Sequence, residues 1–406
     1  MNTPRARALL LAAMLCSTAG GAQAATSGRP PDLPAQYAPS ADEAEGGLWM
    51  ASREAEEIIA HSPRRVRDPA LETYLHDVAC RVAGDYCGDV RVYLVRLPYF
   101  NASMLPNGAM QVWTGLLLRV HDEAQLAAVL GHELGHYLRR HSLQQFEDIQ
   151  AKSTLLTLFT LGLSGAVAAG GVAPTVAQGA STAAQIGTLG SVYAFSREHE
   201  SEADDLGLTL LAKAGYDPAA AATVWQNLVD EEKADESSPS RSVFFATHPS
   251  PENRLATLRQ AAGAHAAGTR MPAEEARTRY FSAVAPHLRD YLDDEIQLNQ
   301  PAQSEQLLQR LLGAGFAPGM VHYYLGEAAR RRDSGKLSDP ALAHYEAALQ
   351  YADAPPETHR ALGLWMLKAK RMPEARAHLS RYLELAPEAS DRAMTEYYLK
   401  LTEHAP

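Results

Sequence analysis

Residues 122–138 read DEAQLAAVLGHELGHYL, and the run His132-Glu133-Leu134-Gly135-His136 within them governs the reading of the whole chain. Asp122 suits a helix N-cap, Gln125 follows three positions later as in a capping box, and apolar residues recur at helical spacing through Leu138. Four residues advance a helix by ~400°, so His132 and His136 fall on one face about 40° apart. That spacing lets both imidazoles reach one tetrahedral Zn²⁺ ion. Glu133 stands beside the first histidine, where its carboxylate can act as general base toward the open coordination position. Two nitrogen donors are not a closed site, so a third ligand is required from elsewhere.

A metzincin would supply it from an extension with glycine three and histidine six residues past the second histidine; here those positions hold Arg139 and Ser142. His141 follows His136 by five residues, off the metal face of a continuing helix, and reads as a solvent-side histidine. The better source is the stretch 196–204, SREHESEAD, read as the start of a second helix running to about residue 214. Glu200 and Asp204 share one face there. One can bind the ion while the other holds a ligand histidine's free N–H and so fixes its tautomer. Glu198 and Glu202 read as solvated charges, and His199 as surface or local packing. Two imidazoles, a carboxylate and an open position favour Zn²⁺, one ion per subunit.

Around this motif the pattern is mainly α with a small β-sheet. Helical periodicity covers about 47–61 and 68–82, alternation suits strands at 91–96 and 110–113, and Leu105-Pro106-Asn107-Gly108 is a turn signal between them. The strand at 110–113 is expected to pair with an extended substrate. Asp217-Pro218 and Ser250-Pro251 each open a further helix. From about residue 273 the chain reads as all-helical and partly repeats: Leu325-Gly326 matches Leu362-Gly363 at a separation of 37, and Ala341, Tyr345 and Ala348 match Ala375, Leu379 and Tyr382 at 34. These spacings resemble a tetratricopeptide unit, with residues 273–315 holding a degenerate further unit.

Composition narrows the function. Of the 406 residues 46 % are hydrophobic, enough for real cores, and a net charge of −11 disfavours a nucleic-acid binder. Arg5 and Arg7, an apolar run from Leu9 and the small-x-small Ala22-Gln23-Ala24 read as a cleavable export signal over 1–24, which implies the periplasm. A Pro-rich, polar lead-in over 25–44 is expected to be exposed. In an oxidising space Cys80 and Cys87 are expected to form a local disulfide closing helix onto strand, buried free thiols being the alternative. The 44 residues 153–196 lack Asp, Glu, Lys and Arg. They read either as a buried helical pair or as a hairpin giving peripheral membrane contact.

His132-Glu133-x-x-His136 with the later Ser196-Arg197-x-x-Glu200-x-Glu202-Ala203-Asp204 resembles the HtpX/BepA-type gluzincin metallopeptidases. Asn101-Ala102, Leu105-Pro106-Asn107-Gly108, Thr114-Gly115-Leu116-Leu117 and His248-Pro249 with Arg254 resemble further elements of that family. The resemblance covers about 45–262, and the repetitive tail points to its β-barrel assembly-enhancing branch. It implies a zinc metallopeptidase domain over 45–268 and a tetratricopeptide-like domain over 269–406. His132, His136 and Glu200 would be the zinc ligands and Glu133 the general base. Asp204 matches a position held to donate a proton, although the residues themselves favour an orienting role. The resemblance implies that His248 can occupy the fourth position and hold the enzyme latent; capping the helix at Pro251 or assisting the transition state are its other roles. The implied function is zinc-dependent endopeptidase and chaperone work on unfolded or stalled outer-membrane proteins with the barrel-assembly machinery. A repeat scaffold with a shut zinc site and an integral membrane protease are the rival readings.

Overall fold

The computed structural model describes residues 32–41, 44–152, 195–234, 244, 245, 248, 254–265, 268, 270–336 and 338–403. The export signal and most of the uncharged segment lie outside these residues. Among the described residues no helix is long and apolar enough to cross a membrane.

Helix α1 (Ala44–His61) and helix α2 (Pro69–Ala83) precede a sheet of β1 (Arg91–Val95), β2 (Ala102–Met104) and β3 (Ala109–Trp113). Asp68 caps α2 by accepting the N–H groups of Ala70 and Leu71, with Pro69 at the first helical position. Cys80, near the end of α2, is disulfide-bonded to Cys87 in the short 3₁₀ turn before β1. The sheet order is β1-β3-β2: β1 runs parallel to β3 with Arg91 opposite Ala109, and β2 antiparallel with Ala102 opposite Val112.

This order corrects the expectation that residues 110–113 pair with substrate. Strand β3 is central, its hydrogen-bonding groups are committed on both sides, and all five of its residues are buried. The outer side of β1 is also taken, since Val66 donates to the Leu94 carbonyl at 2.9 Å and Arg96 to that of Arg64 at 2.7 Å. Strand β2 is left at the edge, packed on the helix that carries the histidines. Three residues are too few for alternation to mark it in the sequence.

After α3 (Thr114–Arg119) comes that helix, α4 (Glu123–Leu138), buried along its whole length. Asp122 accepts the Gln125 N–H at 2.8 Å while the Gln125 side chain takes the N–H of His121, a reciprocal cap. Then follow α5 (His141–Lys152), α6 (Arg197–Lys213), α7 (Ala219–Lys233) and α8 (Arg254–Ala264). Helices α4 and α6 touch backbone to backbone. A Cβ on Gly135 would stand 2.6 Å from the Ala203 carbonyl oxygen, and one on Gly207 3.1 Å from that of Gly131. Side chains on facing turns are thereby drawn within bonding range.

The remaining helices are α9 (Ala273–Val284), α10 (Leu288–Gln297), α11 (Pro301–Gly313), α12 (Pro318–Arg332), α13 (Asp339–Ala348), α14 (Glu357–Lys368), α15 (Met372–Leu385) and α16 (Arg392–Leu401). The hydrophobic core carries on from the peptidase helices as far as Leu362 in α14: Tyr280 is fully buried and donates to the Leu117 carbonyl, joining α9 to α3. Buried Arg119 bridges Glu231 on α7 at 2.7 Å and Glu295 on α10 at 3.1 Å, and Ser304 donates to Glu295. Farther on, α12 packs with α13 and α14 with α15. Gly326 lies under the Tyr345 ring and Gly363 under Leu379, close approaches that only a side chain of hydrogen permits.

Among residues 32–41 of the lead-in most are exposed, with one exception. Leu33 is buried, and its N–H donates to the Leu138 carbonyl at 2.8 Å, while Asp32 pairs with Arg139 at 2.7 Å. A Pro-rich composition marks irregular backbone, but a single apolar side chain at the open end of α4 suffices to pin it.

Candidate metal centre

The last turns of α4 and the first turns of α6 bring His132, His136 and Glu200 together, and His248 closes the fourth side. Each offers one ligand atom, all within 4.8 Å of one another, and all four residues are buried. His136 Nε2 stands 3.1 Å from His132 Nε2 and 3.4 Å from Glu200 Oε1. His248 Nδ1 lies 3.0 Å from Glu200 Oε1 and 3.3 Å from His132 Nε2.

The hydrogen bonds behind the rings fix which nitrogens face inward. Asp204 Oδ1 takes the His132 Nδ1 proton at 2.9 Å, so Nε2 of that ring keeps its lone pair. His136 Nδ1 meets His141 Nδ1 at 2.9 Å, and His141 Nε2 meets Glu202 Oε2 at 3.2 Å. Read as a chain, Glu202 accepts from His141, His141 accepts from His136, and His136 also turns an unprotonated Nε2 inward. Two lone pairs 3.1 Å apart repel unless a cation or proton lies between them. The buried carboxylate of Glu200 beside them completes a donor set that fits Zn²⁺.

Glu202, read as a solvated charge, is partly exposed and paired with His141, whereas His141 itself corrects the sequence reading, which placed it toward solvent. Its geometry assumed that α4 continues past His136. The helix instead ends at Leu138, and Arg140 adopts a left-handed backbone at φ 57°, which swings His141 back beneath His136, fully buried. His199 stacks on His141 at 4.3 Å, local packing as expected.

Arg254 is the residue that spacing alone did not single out as part of the site. It is buried, forks onto both oxygens of Asp204 at 2.7 and 2.8 Å, reaches Glu200 Oε2 at 2.6 Å and lies over the Trp225 ring at 4.1 Å. Phe195 stacks on His136 and Phe244 on His248. Nothing in the sequence signals these aromatic contacts, because they depend on loops meeting in space.

Electrostatics sorts the acids into different roles. Burial raises the Glu133 carboxyl above its ordinary value, against the nearby His248 and His132, and its Oε1 is buried without a hydrogen-bond partner. Burial pushes Glu200 and Asp204 upward too, but His248 and His136 overcome it at Glu200, and Arg254 at Asp204, so both lie below the usual carboxylate range. Burial holds His136 well below the usual imidazole value, keeping it a neutral donor. Glu133 is therefore the basic carboxylate of the group, and the other two are held as fixed anions.

Residues 66–262 match the model of peptidase family M48. The chain is 29 % identical over 201 residues to the β-barrel assembly-enhancing protease of Escherichia coli K12, covering 48 % of this chain and 40 % of that protein. It is 33 % identical over 172 residues to the mitochondrial metalloendopeptidase OMA1 of Schizosaccharomyces pombe, covering 42 % of this chain and 45 % of that one. The human mitochondrial metalloendopeptidase OMA1 is 32 % identical over 167 residues, 31 % of its length. The chain thus spans less than half the length of these relatives. The stretch that matches contains every side chain of the buried cluster, whose two histidines and carboxylate are the donor set of a zinc metalloendopeptidase.

Proposed function

We propose that the protein is a periplasmic zinc endopeptidase acting on outer-membrane proteins, either promoting their assembly or degrading misassembled forms. The observation that carries the enzymatic part is the convergence of His132, His136 and Glu200 beside the buried Glu133 carboxylate, whose Oε1 has no hydrogen-bond partner. His132, His136 and Glu200 hold the ion. When bound, Zn²⁺ polarises a peptide carbonyl and lowers the pKa of water to ~7. Glu133 takes the proton from the attacking water and passes it to the leaving amine, for which its raised basicity is suited. Asp204 orients His132 and is not the proton donor, a reading supported by its bond to Nδ1 and its bidentate hold by Arg254.

His248 has its Nδ1 among the ligand atoms and its Nε2 3.6 Å from Glu133 Oε1. From there it excludes water from the position that hydrolysis needs and keeps the site latent. Substrate, with the central strand unavailable, adds along β2, the edge strand nearest the histidine helix. The tetratricopeptide-like pairs after residue 269 recruit protein clients, supported by the 37- and 34-residue registers and the glycine contacts at 326 and 363. The outer-membrane clients rest on the name of the Escherichia coli relative, and the compartment on the export pattern.

Metal analysis and casein cleavage by the purified full chain, with and without chelator, test the proposal. Glu133→Gln is expected to keep about one zinc per chain and lose cleavage, and His248→Ala to cleave faster than wild type. Absence of tightly held zinc refutes the enzyme, and slower cleavage by His248→Ala refutes the latch.

A further inference from the structure

Outside the peptidase site, histidines meet in two pairs. His322 on α12 and His344 on α13 approach to 3.3 Å between Nδ1 atoms, and His359 on α14 and His378 on α15 to 2.9 Å. The first members are 37 residues apart and the second members 34, the offsets that relate Leu325-Gly326 to Leu362-Gly363 and Ala341 to Ala375. Each second histidine directly precedes the side chain that covers the facing glycine, Tyr345 over Gly326 and Leu379 over Gly363. The glycine lets the two helices close, and closure one turn away leaves the imidazoles face to face. All four are partly exposed.

This separation is that of a chelating edge. Two nitrogens each ~2.05 Å from one ion stand about 3.3 Å apart at a tetrahedral angle and about 2.9 Å at a right angle. Burial holds all four histidines below their ordinary value, reinforced at His344 and His359 by the partner ring, so the neutral donor form prevails near neutral pH. We propose that each pair is a two-histidine site for a borderline divalent transition cation such as Zn²⁺ or Ni²⁺, with water at the other positions, clipping together the two helices of its unit. A hydrogen bond between the rings explains either distance alone. It does not explain why both histidines recur in register while their neighbours change, Tyr323 to Arg360 and Tyr345 to Leu379.

The test uses the full chain loaded with one equivalent of zinc, dialysed, and titrated with NiCl₂ in a calorimeter. Wild type is expected to take up two further equivalents, His344→Gln one, and His344→Gln/His378→Gln none. Glutamine keeps a hydrogen bond to the remaining ring but is a poor ligand. Ni²⁺ is also expected to raise the melting midpoint of wild type and not of the double variant. If that variant misfolds, His322→Gln/His359→Gln removes the opposite ring of each pair. Wild type taking up nothing further, or a folded double variant taking up as much as wild type, overturns the proposal. The initial zinc load reports on the peptidase site separately, so failure of one reading leaves the other intact.

Discussion

Gly135→Ala puts the most direct strain on the metal centre without touching a ligand. The new Cβ would stand 2.6 Å from the Ala203 carbonyl oxygen and 2.9 Å from its Cα, both backbone atoms of α6. Ordinary contact begins near 3.4 Å, so the helices must separate by about 0.8 Å. Helix propensity favours alanine by ~1 kcal/mol, while overpacking of this kind costs ~1–3 kcal/mol, for a net loss of about 0–2 kcal/mol. The larger effect is on metal. His132 and His136 ride on α4 and Glu200 on α6, and ligand distances tolerate only about ±0.2 Å. Zinc affinity is expected to fall by roughly tenfold or more, comparable to losing an orienting partner. Competition with a graded chelator measures it, with a melting curve alongside. Gly263→Ala in α8 is the control, because no atom lies within 4 Å of its added Cβ, and it is expected to be neutral or stabilising. A Gly135→Ala protein that holds zinc as tightly as wild type would show that the helix crossing does not set the ligand geometry.

Asp204→Asn is expected to weaken zinc retention, which direct metal analysis reads; unchanged metal content with lost cleavage would instead make Asp204 a proton donor. His141→Ala is expected to cost about 10–100-fold in zinc affinity by freeing His136 Nδ1, and Glu202→Ala less, since that carboxylate is partly exposed; chelator competition separates this from a purely packing role. Acid stability follows His121, whose pKa burial pushes down to about 4 from 6.5, aided by Arg310. The unfolded chain then binds the proton first, so this contribution is complete above pH 6.5 and lost as pH falls to about 4. At ~1.4 kcal/mol per unit this amounts to about 3.5 kcal/mol. His121→Gln is expected to flatten the melting midpoint between pH 6.5 and 4, and an unchanged slope would exclude His121 as its source.

The sequence by itself determined what is local. A four-residue spacing on a capped helix places two histidines on one face, and that geometry holds whatever surrounds the helix. Asp122 with Gln125, Asp68 with Pro69, and Ser196 mark helix starts through bonds that span only a few residues. A local rule fails where the local structure it assumes ends. Helical rotation turns His141 away from the metal, but Arg140 interrupts that rotation, and a left-handed residue other than glycine has no pattern to announce it. The strand at 109–113 was legible but its neighbours were not, because sheet order depends on pairings between segments that sequence spacing leaves free. The fork of Arg254 on Asp204, the aromatic rings over the histidines and the continuity of the core through Tyr280 all belong to tertiary structure. They arise from backbone contact at Gly135 and Gly207 and from burial, and both are properties of how helices meet rather than of any helix alone.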